Sequence, residues 1–300
     1  MEILTSLKPD VNDLYSITAR HYINASMEGA VHFATLLNIL IDNVNLSTLE
    51  NLNSVWAMIL HKGHGKDREK DRSYRTISTC PLLAKALDKY VGSLYKTGWM
   101  ECQAETQFQG PGSSHELAAL LLSECIQHSL AIKKPLFVIL LDAKSAFDKI
   151  IPEIVIKKAF LAGSQDQGLI FLDNRLKSRQ TNIEWDKTLM GPIKDRLGVE
   201  QGGINSDRLY KLANNDELKV TQSSGLGLDM GGGVHVASVG QADDVAIVSD
   251  DIHRLQCLLH LVMDYANSSF VAMLCTKRTR NCCMTLVRPN FLNQFLSFWP

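Results

Sequence analysis

Six consecutive apolar residues, Leu136 to Leu141 (LFVILL), stand between Pro135 and Asp142. A run this short and continuous, opened by a proline, predicts a buried strand by length and composition. Burial of such a strand requires apolar cover from the rest of the chain. Its end is an acid, so wherever the strand goes, Asp142 is carried to the rim of the core.

The rest of the chain can supply that cover. With 300 residues, of which 45% are hydrophobic and 21% charged, the composition is that of a globular protein, one large domain or two subdomains. It excludes a disordered tail, a collagen-like repeat and a disulfide-dense mini-protein. Lys and Arg number 31 against 32 Asp and Glu, a net charge of -1, so total charge neither demands nor forbids a polyanionic partner. Seven cysteines without a CxxC pair read as reduced thiols of an intracellular protein, not as a disulfide framework or zinc site. The N-terminus lacks the pattern of a signal peptide, and no apolar run reaches the ~18–20 residues of a spanning helix, so no membrane is expected.

Periodicity gives the coarse order of elements. MEGAVHFATLLNILIDNVN, from Met27 to Asn45, predicts an amphipathic helix with Val31, Ala34, Leu37, Leu40, Ile41 and Val44 as its apolar stripe. Val55 to Leu60 reads as a strand feeding a polar loop, His61 to Arg75, that holds six cations against three acids. Helical spacing resumes from Pro81 and again from His115, after the breaker Pro111 to Ser114. Val234 to Gly240 and Val245 to Ser249 predict a β-hairpin whose turn carries Asp243 and Asp244. Helix returns from about Arg254. The glycines of GLGLDMGGG are followed by a strand and lack a GK[ST] sequence, so a flexible connector is expected there.

Three features carry chemical content: Asp142 at a strand end, the Asp243–Asp244 turn, and GVEQGGINS between them. Taken singly, each is an ordinary cap or turn. Together they bring carboxylates to strand ends, where adjacent negative charges repel unless a divalent cation neutralises them. Mg2+ is the natural candidate, because it takes hard oxygen ligands, one or two carboxylates plus substrate phosphate oxygens. His61 and His64 lack acid or cysteine partners at ligand spacing and read as loop residues.

LLDAKSAFDKI, GVEQGGINS and QADDVAIV, in that order, resemble motifs A, B and C of a reverse transcriptase palm. The AFD after Asp142, the run QGGINSDRLYKLANNDEL and the upstream KGHGKD and SYRTIS segments resemble more narrowly the non-LTR, LINE-like retrotransposon group. The resemblance spans about Val55 to Arg280. It implies an α+β right-hand polymerase, with fingers and N-terminal helices over 1–132 and a palm over 133–288 whose antiparallel sheet is flanked by helices. The implied activity is that of an RNA-directed DNA polymerase, a nucleotidyltransferase that uses two Mg2+ or Mn2+ ions, an RNA template, a DNA primer and dNTPs.

Residue by residue, the resemblance implies that Asp142, Asp243 and Asp244 are the metal-binding and catalytic acids. It implies that Phe147 excludes a 2'-hydroxyl by steric clash, and that Gln201 and Gly202 lie against the template-primer and the nascent base pair. Lys62 and Arg75 match the fingers residues that hold the triphosphate, and the local excess of cations suits that role independently. Gln241 stands where most of the family has an aromatic. In LCTKRTR the position of the pyrophosphate-protonating lysine falls on Arg278, a poor proton donor, with Lys277 one place earlier as the candidate. The apolar segment 289–300 reads as a truncation, a thumb is expected to be absent, and thumb and endonuclease domains are expected on a longer parent chain. Nuclear action is the implied location. The competing expectation is a non-catalytic nucleic-acid-binding remnant of such a palm.

Overall fold

A computed structural model of the chain describes residues 2–13, 15–44, 51–63, 65–70, 73–110, 112–142, 147–186, 188–269 and 283–286, with backbone alone at 142, 266–269 and 283–286. In chain order the elements run α1 (Glu2–Thr5), α2 (Ala19–Ile23), α3 (Met27–Asp42), β1 (Ser54–His61), β2 (Tyr74–Thr79), α4 (Leu82–Leu94), α5 (Lys96–Glu101), α6 (His115–Ala131) and β3 (Phe137–Asp142). A 3-10 turn (Phe147–Lys149) follows, then α7 (Pro152–Leu161), α8 (Asp166–Lys177), β4 (Gln180–Trp185), β5 (Thr188–Lys194) and α9 (Ser206–Ser223). The last elements are β6 (Leu228–Gly231), β7 (Val234–Val236), β8 (Ser238–Gln241), β9 (Asp244–Ser249), α10 (Ile252–Ser269) and β10 (Cys283–Leu286). The fold is mixed α+β, with sheets flanked by helices. Two compact units divide it: Met1–Glu101 with Phe147–Tyr210, and Cys102–Ala146 with Lys211–Pro300.

The second unit is built around the apolar run. Its sheet has the order β10-β3-β9-β8 with every neighbouring pair antiparallel, so β3 is interior. Strand alternation sends Leu136, Val138 and Leu140 into a cluster with Ala118, Leu122, Cys125 and Ile126 of α6. Phe137, Ile139 and Leu141 face the other way, into Leu218 of α9 and Leu255, Leu258 and Val262 of α10. Leu136, Val138 and Ile139, the buried ones among the six, each contribute roughly 1.5–3 kcal/mol, and the partly buried Phe137, Leu140 and Leu141 less. Ser114 caps α6 by accepting from the Leu117 N–H, which explains why the helix starts directly after the Pro111–Ser114 breaker.

The first unit carries a second sheet, of order β2-β1-β4-β5, in which β1 runs parallel to β4 and the other pairs are antiparallel. Val55 and Ala57 of β1 are fully buried, whereas Met58 and Leu60 are exposed. Val55 at the buried end packs with Cys80, which follows β2, and with Ala84 of α4.

Three local expectations need correction. The segment Val234 to Gly240 is two strands, not one: β7 pairs with β6, and β8 pairs with β9 in the larger sheet. Ala237 is the break; its C=O accepts from Val248 and its N–H donates to Gln222 Oε1. The glycine-rich stretch is accordingly a small hairpin and not a connector, with Gly231, Gly232 and Gly233 all at positive φ where the chain reverses. In α3 the buried face is set by Phe33 and Ile41, while Val31 is 55% exposed. Ile41 and Val44 of the expected stripe are buried, but its start gives way to Phe33, which packs on Tyr22 with ring centroids 4.4 Å apart and 47° between planes.

Cys80, Cys102, Cys125 and Cys257 are free thiols, and burial pushes Cys125 up to about 12 and raises Cys80 further, which makes both unreactive. No described helix is long and apolar enough to cross a membrane.

Glu217 of α9 is 1% exposed, and its Oε2 has no hydrogen-bond partner among the described residues. Burial pushes its carboxyl up to about 7, against a hydrogen bond from Asn214. Between pH ~4.5 and ~7 the folded chain therefore keeps a proton that the unfolded chain has released, so stability falls as pH rises through that window. In denaturant melts at pH 5 and pH 8, Glu217→Gln is expected to gain on the parent protein by on the order of 3 kcal/mol at the higher pH. A constant difference between the two proteins at both pH values would contradict this.

Candidate active site

In the second unit the ladder between β3 and β9 pairs Asp142 directly with Asp244. Directly opposed residues of an antiparallel pair share a sheet face. Asp243 lies in the turn that joins β8 to β9, closed by the pairing of Gln241 with Asp244. Both Asp243 and Asp244 are half-buried. The three acids named from sequence thus collect at one end of one sheet, because the apolar run determines where β3 ends and the hairpin determines where β9 begins. Their chemistry suits a hard divalent cation: oxygen donors only, on adjacent backbone positions, at a strand end. Among the described residues no group of three or more His, Cys, Asp or Glu side chains forms a metal cage.

The same turn depends on a residue without any local signal. Ala242 adopts φ 58°, a left-handed conformation unusual for a side chain with Cβ. Its N–H donates to Gln107 Oε1 at 3.1 Å, and its C=O accepts from Gln107 Nε2 at 3.3 Å.

In the first unit the loop from Leu197 to Gly203 is held from several sides. Arg179 donates to the carbonyls of Leu197 and Gly198 at 3.1 and 3.3 Å and pairs with Asp195 at 2.7 Å. The Val199 N–H donates to Phe147 O at 2.8 Å, and the Gly198 N–H to Ile150 O at 2.7 Å. Gly198 has φ 88°, and a Cβ there would meet Asp148 O at 2.7 Å, so only glycine fits. Farther along, the Ser78 N–H of β2 donates to Gln201 O at 3.0 Å, and Gly202 takes φ 99° with Ser78 O only 3.3 Å from where a Cβ would stand. Gln201 and Gly202 therefore rest on the strand that carries Arg75, while the other end of the loop rests on Phe147.

Phe147 is half-buried and stacks on Tyr210 of α9, with ring centroids 4.9 Å apart and 25° between planes. Arg75 is exposed on β2 opposite Leu60, and Lys62 follows β1 with its N–H donating to Ser73 O at 2.8 Å. Both cations thus stand at the loop end of one hairpin. Partial burial raises the Asp148 carboxyl while Arg179, Lys149 and Lys62 pull it down, which puts the Lys62 charge within electrostatic range of the residue after Phe147. His61 is not a loop residue as expected but the last residue of β1, paired with Tyr74 of β2, whose ring it meets at 5.1 Å; the polar loop is correspondingly shorter than His61 to Arg75, since the β1–β2 ladder extends over both of its ends. His64, Lys277, Arg278 and the tail 289–300 lie outside the described residues.

Beneath the loop is a buried ionic cluster with no counterpart in the motif reading. Arg175 of α8 is 5% exposed and donates to Glu200 Oε1 at 2.6 Å, to Asp88 Oδ2 at 3.3 Å and to Leu52 O at 3.1 Å. Burial pushes the Asp88 carboxyl up to about 6 against the pull of Arg175. Asn205 Nδ2 completes the group by donating to Asp88 O at 2.5 Å. A cation that answers two buried acids is costly to remove. Arg175→Ala is expected to lower stability by about 3–5 kcal/mol, seen as a fall in melting temperature of roughly 10 °C. A shift within a degree or two would show that the cluster contributes little.

A family model described as "Reverse transcriptase (RNA-dependent DNA polymerase)" matches residues 66–281, more than two thirds of the chain. No curated protein matches it.

Proposed function

We propose, on the premise that this chain belongs to the reverse transcriptase (RNA-dependent DNA polymerase) family, that it adds dNTPs to the 3'-end of a DNA primer by copying an RNA template. The single observation that carries the proposal is the register of β3 and β9, which sets Asp142 against Asp244 beside the turn that holds Asp243. The segments that resemble motifs A and C, about 100 residues apart in the chain, are neighbours in this ladder, which supports that reading. The finer assignment, to a non-LTR, LINE-like retrotransposon polymerase with fingers over 1–132 and a palm over 133–288 that acts in the nucleus, rests on the motif resemblance and is proposed with it.

Each residue then has a task. Asp142, Asp243 and Asp244 would hold divalent metal. Two Mg2+ or Mn2+ ions, when bound, supply Lewis-acid activation of a 3'-hydroxyl and neutralise charge on the departing pyrophosphate. Phe147 stands in the path of a 2'-hydroxyl, and its stack on Tyr210 restricts how far the ring can swing aside. Gly202, left-handed and without Cβ, lets backbone approach a nascent base pair closely, with Gln201 beside it. Lys62 and Arg75 neutralise the triphosphate from the loop end of the β1–β2 hairpin, and Lys277 is the proposed proton donor to pyrophosphate.

The test is primer extension by the purified chain on an RNA template with a DNA primer. Activity is expected with Mg2+ or Mn2+, none with EDTA, and a loss of roughly 100-fold or more in Asp142→Asn and in Asp243→Asn. A folded chain that binds primer-template in a salt-dependent way yet extends nothing would be the non-catalytic remnant instead. For the steric role, Phe147→Ala is expected to raise incorporation of rNTPs relative to dNTPs by ~10-fold or more, read as the ratio of kcat/KM values. An unchanged ratio would remove Phe147 from the specificity site.

A further inference from the structure

We infer that Gln107 is a positioning residue of the candidate site, a side-chain clamp that holds the turn bearing Asp243 in its working conformation. The inference rests on the reading of Asp243 as a metal-holding acid. It begins with the backbone of Ala242. In a two-residue hairpin turn the first loop residue is outside the strand ladder, so its N–H and C=O need partners from elsewhere. Here one side-chain amide serves both, accepting from the N–H at 3.1 Å and donating to the C=O at 3.3 Å. The orientation of the amide is dictated by these partners, since only its oxygen can meet an N–H and only its nitrogen can meet a carbonyl.

Gln107 is itself fixed. It is 4% exposed, and its backbone forms a parallel bridge with Gly240: the Phe108 N–H donates to Gly240 O at 2.8 Å and the Gly240 N–H to Thr106 O at 2.8 Å. Its own C=O accepts from Gln103 Nε2 at 2.9 Å, and Asn215 of α9 holds the start of the same segment at Cys102 O and the Ala104 N–H. Gly240 is what allows the approach. A Cβ there would stand 2.7 Å from Leu218 Cδ1 and 3.2 Å from Gln107 Nε2, pressing on the amide from one side and on the core from the other.

The consequence falls on the next residue. Ala242 is held at φ 58°, a conformation that an alanine leaves readily when its backbone groups are released. If it leaves, the Cα–Cβ direction of Asp243 rotates, and carboxylates that must share a cation require placement within about half an ångström. Gln107 needs no contact with metal or substrate to matter. Its effect is transmitted through one residue of backbone.

The experiment compares the full chain with Gln107→Leu, which keeps the volume and removes both hydrogen bonds to Ala242, together with the one that Gln107 Oε1 accepts from the Gln109 N–H at 3.3 Å. Gln107→Glu is the second variant, for use if the first does not fold, since it keeps the acceptor and loses the donor when ionised. Amide hydrogen exchange across residues 238–246, Mn2+ binding followed by loss of the free-ion EPR signal, and primer extension are measured together. Gln107→Leu is expected to speed exchange at Ala242 by roughly tenfold or more while β3 keeps its protection. Mn2+ affinity and kcat should each fall about tenfold, with KM for primer-template within about twofold. Unchanged exchange at Ala242 overturns the clamp whatever the activity does. Faster exchange with unchanged Mn2+ affinity and kcat overturns its positioning role and leaves a merely structural one. Should the parent chain bind no Mn2+ and extend no primer, the reading of the acids fails, and the inference falls with it; the exchange arm then still shows whether the clamp exists.

Discussion

The burial of β3 on both faces is the constraint from which the candidate site follows. A strand interior to a sheet, with α6 on one side and α9 and α10 on the other, cannot slide or tilt without opening both apolar clusters. A register slip of one residue would exchange the two faces, sending Val138 toward α10 and Ile139 toward α6. The cost of that slip is several fully buried side chains at once, so the register with β9 is strongly specified, and the opposition of Asp142 to Asp244 is specified with it. The position of the acids proposed to hold metal is thereby fixed by apolar residues outside the candidate site.

The first unit meets a different need by different means. The loop from Leu197 to Gly203 has no ladder of its own, and hydrophobic burial alone does not dictate the path of a loop. Its path is set by directional bonds instead: two arginines from α8 and the residues just after it, one peptide group of β2, and the backbone around Phe147. Arg175 and Arg179 can do this from within the fold because each also answers an acid, Glu200 and Asp88 for the one and Asp195 for the other. A buried cation with full partners fixes a geometry more sharply than it stabilises a fold. Glycine is required where that geometry brings backbone onto backbone, at Gly198 against Asp148.

How much of this is legible in sequence depends on how far each interaction reaches. The strand at Phe137–Asp142, the helix from His115 and the acidic turn at Asp243 are readable because their signals are local: an apolar run, a capping serine, two carboxylates between β-prone segments. The identity of Phe147, Gln201, Gly202, Lys62 and Arg75 as a connected set is readable only through motif order, and their attachment to one another through Ser78 and Val199 is not readable at all. Ala237 looks like the middle of a strand because its neighbours are β-prone; the switch between sheets is decided by Gln222 and Val248, which lie outside the window. Arg175 reads as an ordinary basic residue near the end of a helix, since nothing nearby in sequence announces that Asp88 and Glu200 will be buried beside it.

Gln107 marks the limit of such reading, and the chemistry of the turn explains why that position carries an amide. A glycine at 242 would accept φ 58° without strain, but it would also widen the set of conformations open to the turn. Alanine narrows that set at a cost of about 1–2 kcal/mol in the left-handed region, roughly what two well-made hydrogen bonds return. The pair of Ala242 and Gln107 thus exchanges local freedom for a single geometry at nearly zero net energy. Such an arrangement leaves no trace in composition, hydropathy or charge, because its two members are 135 residues apart and neither is ionisable. It is visible only once the backbone of the turn is asked where its two polar groups find partners.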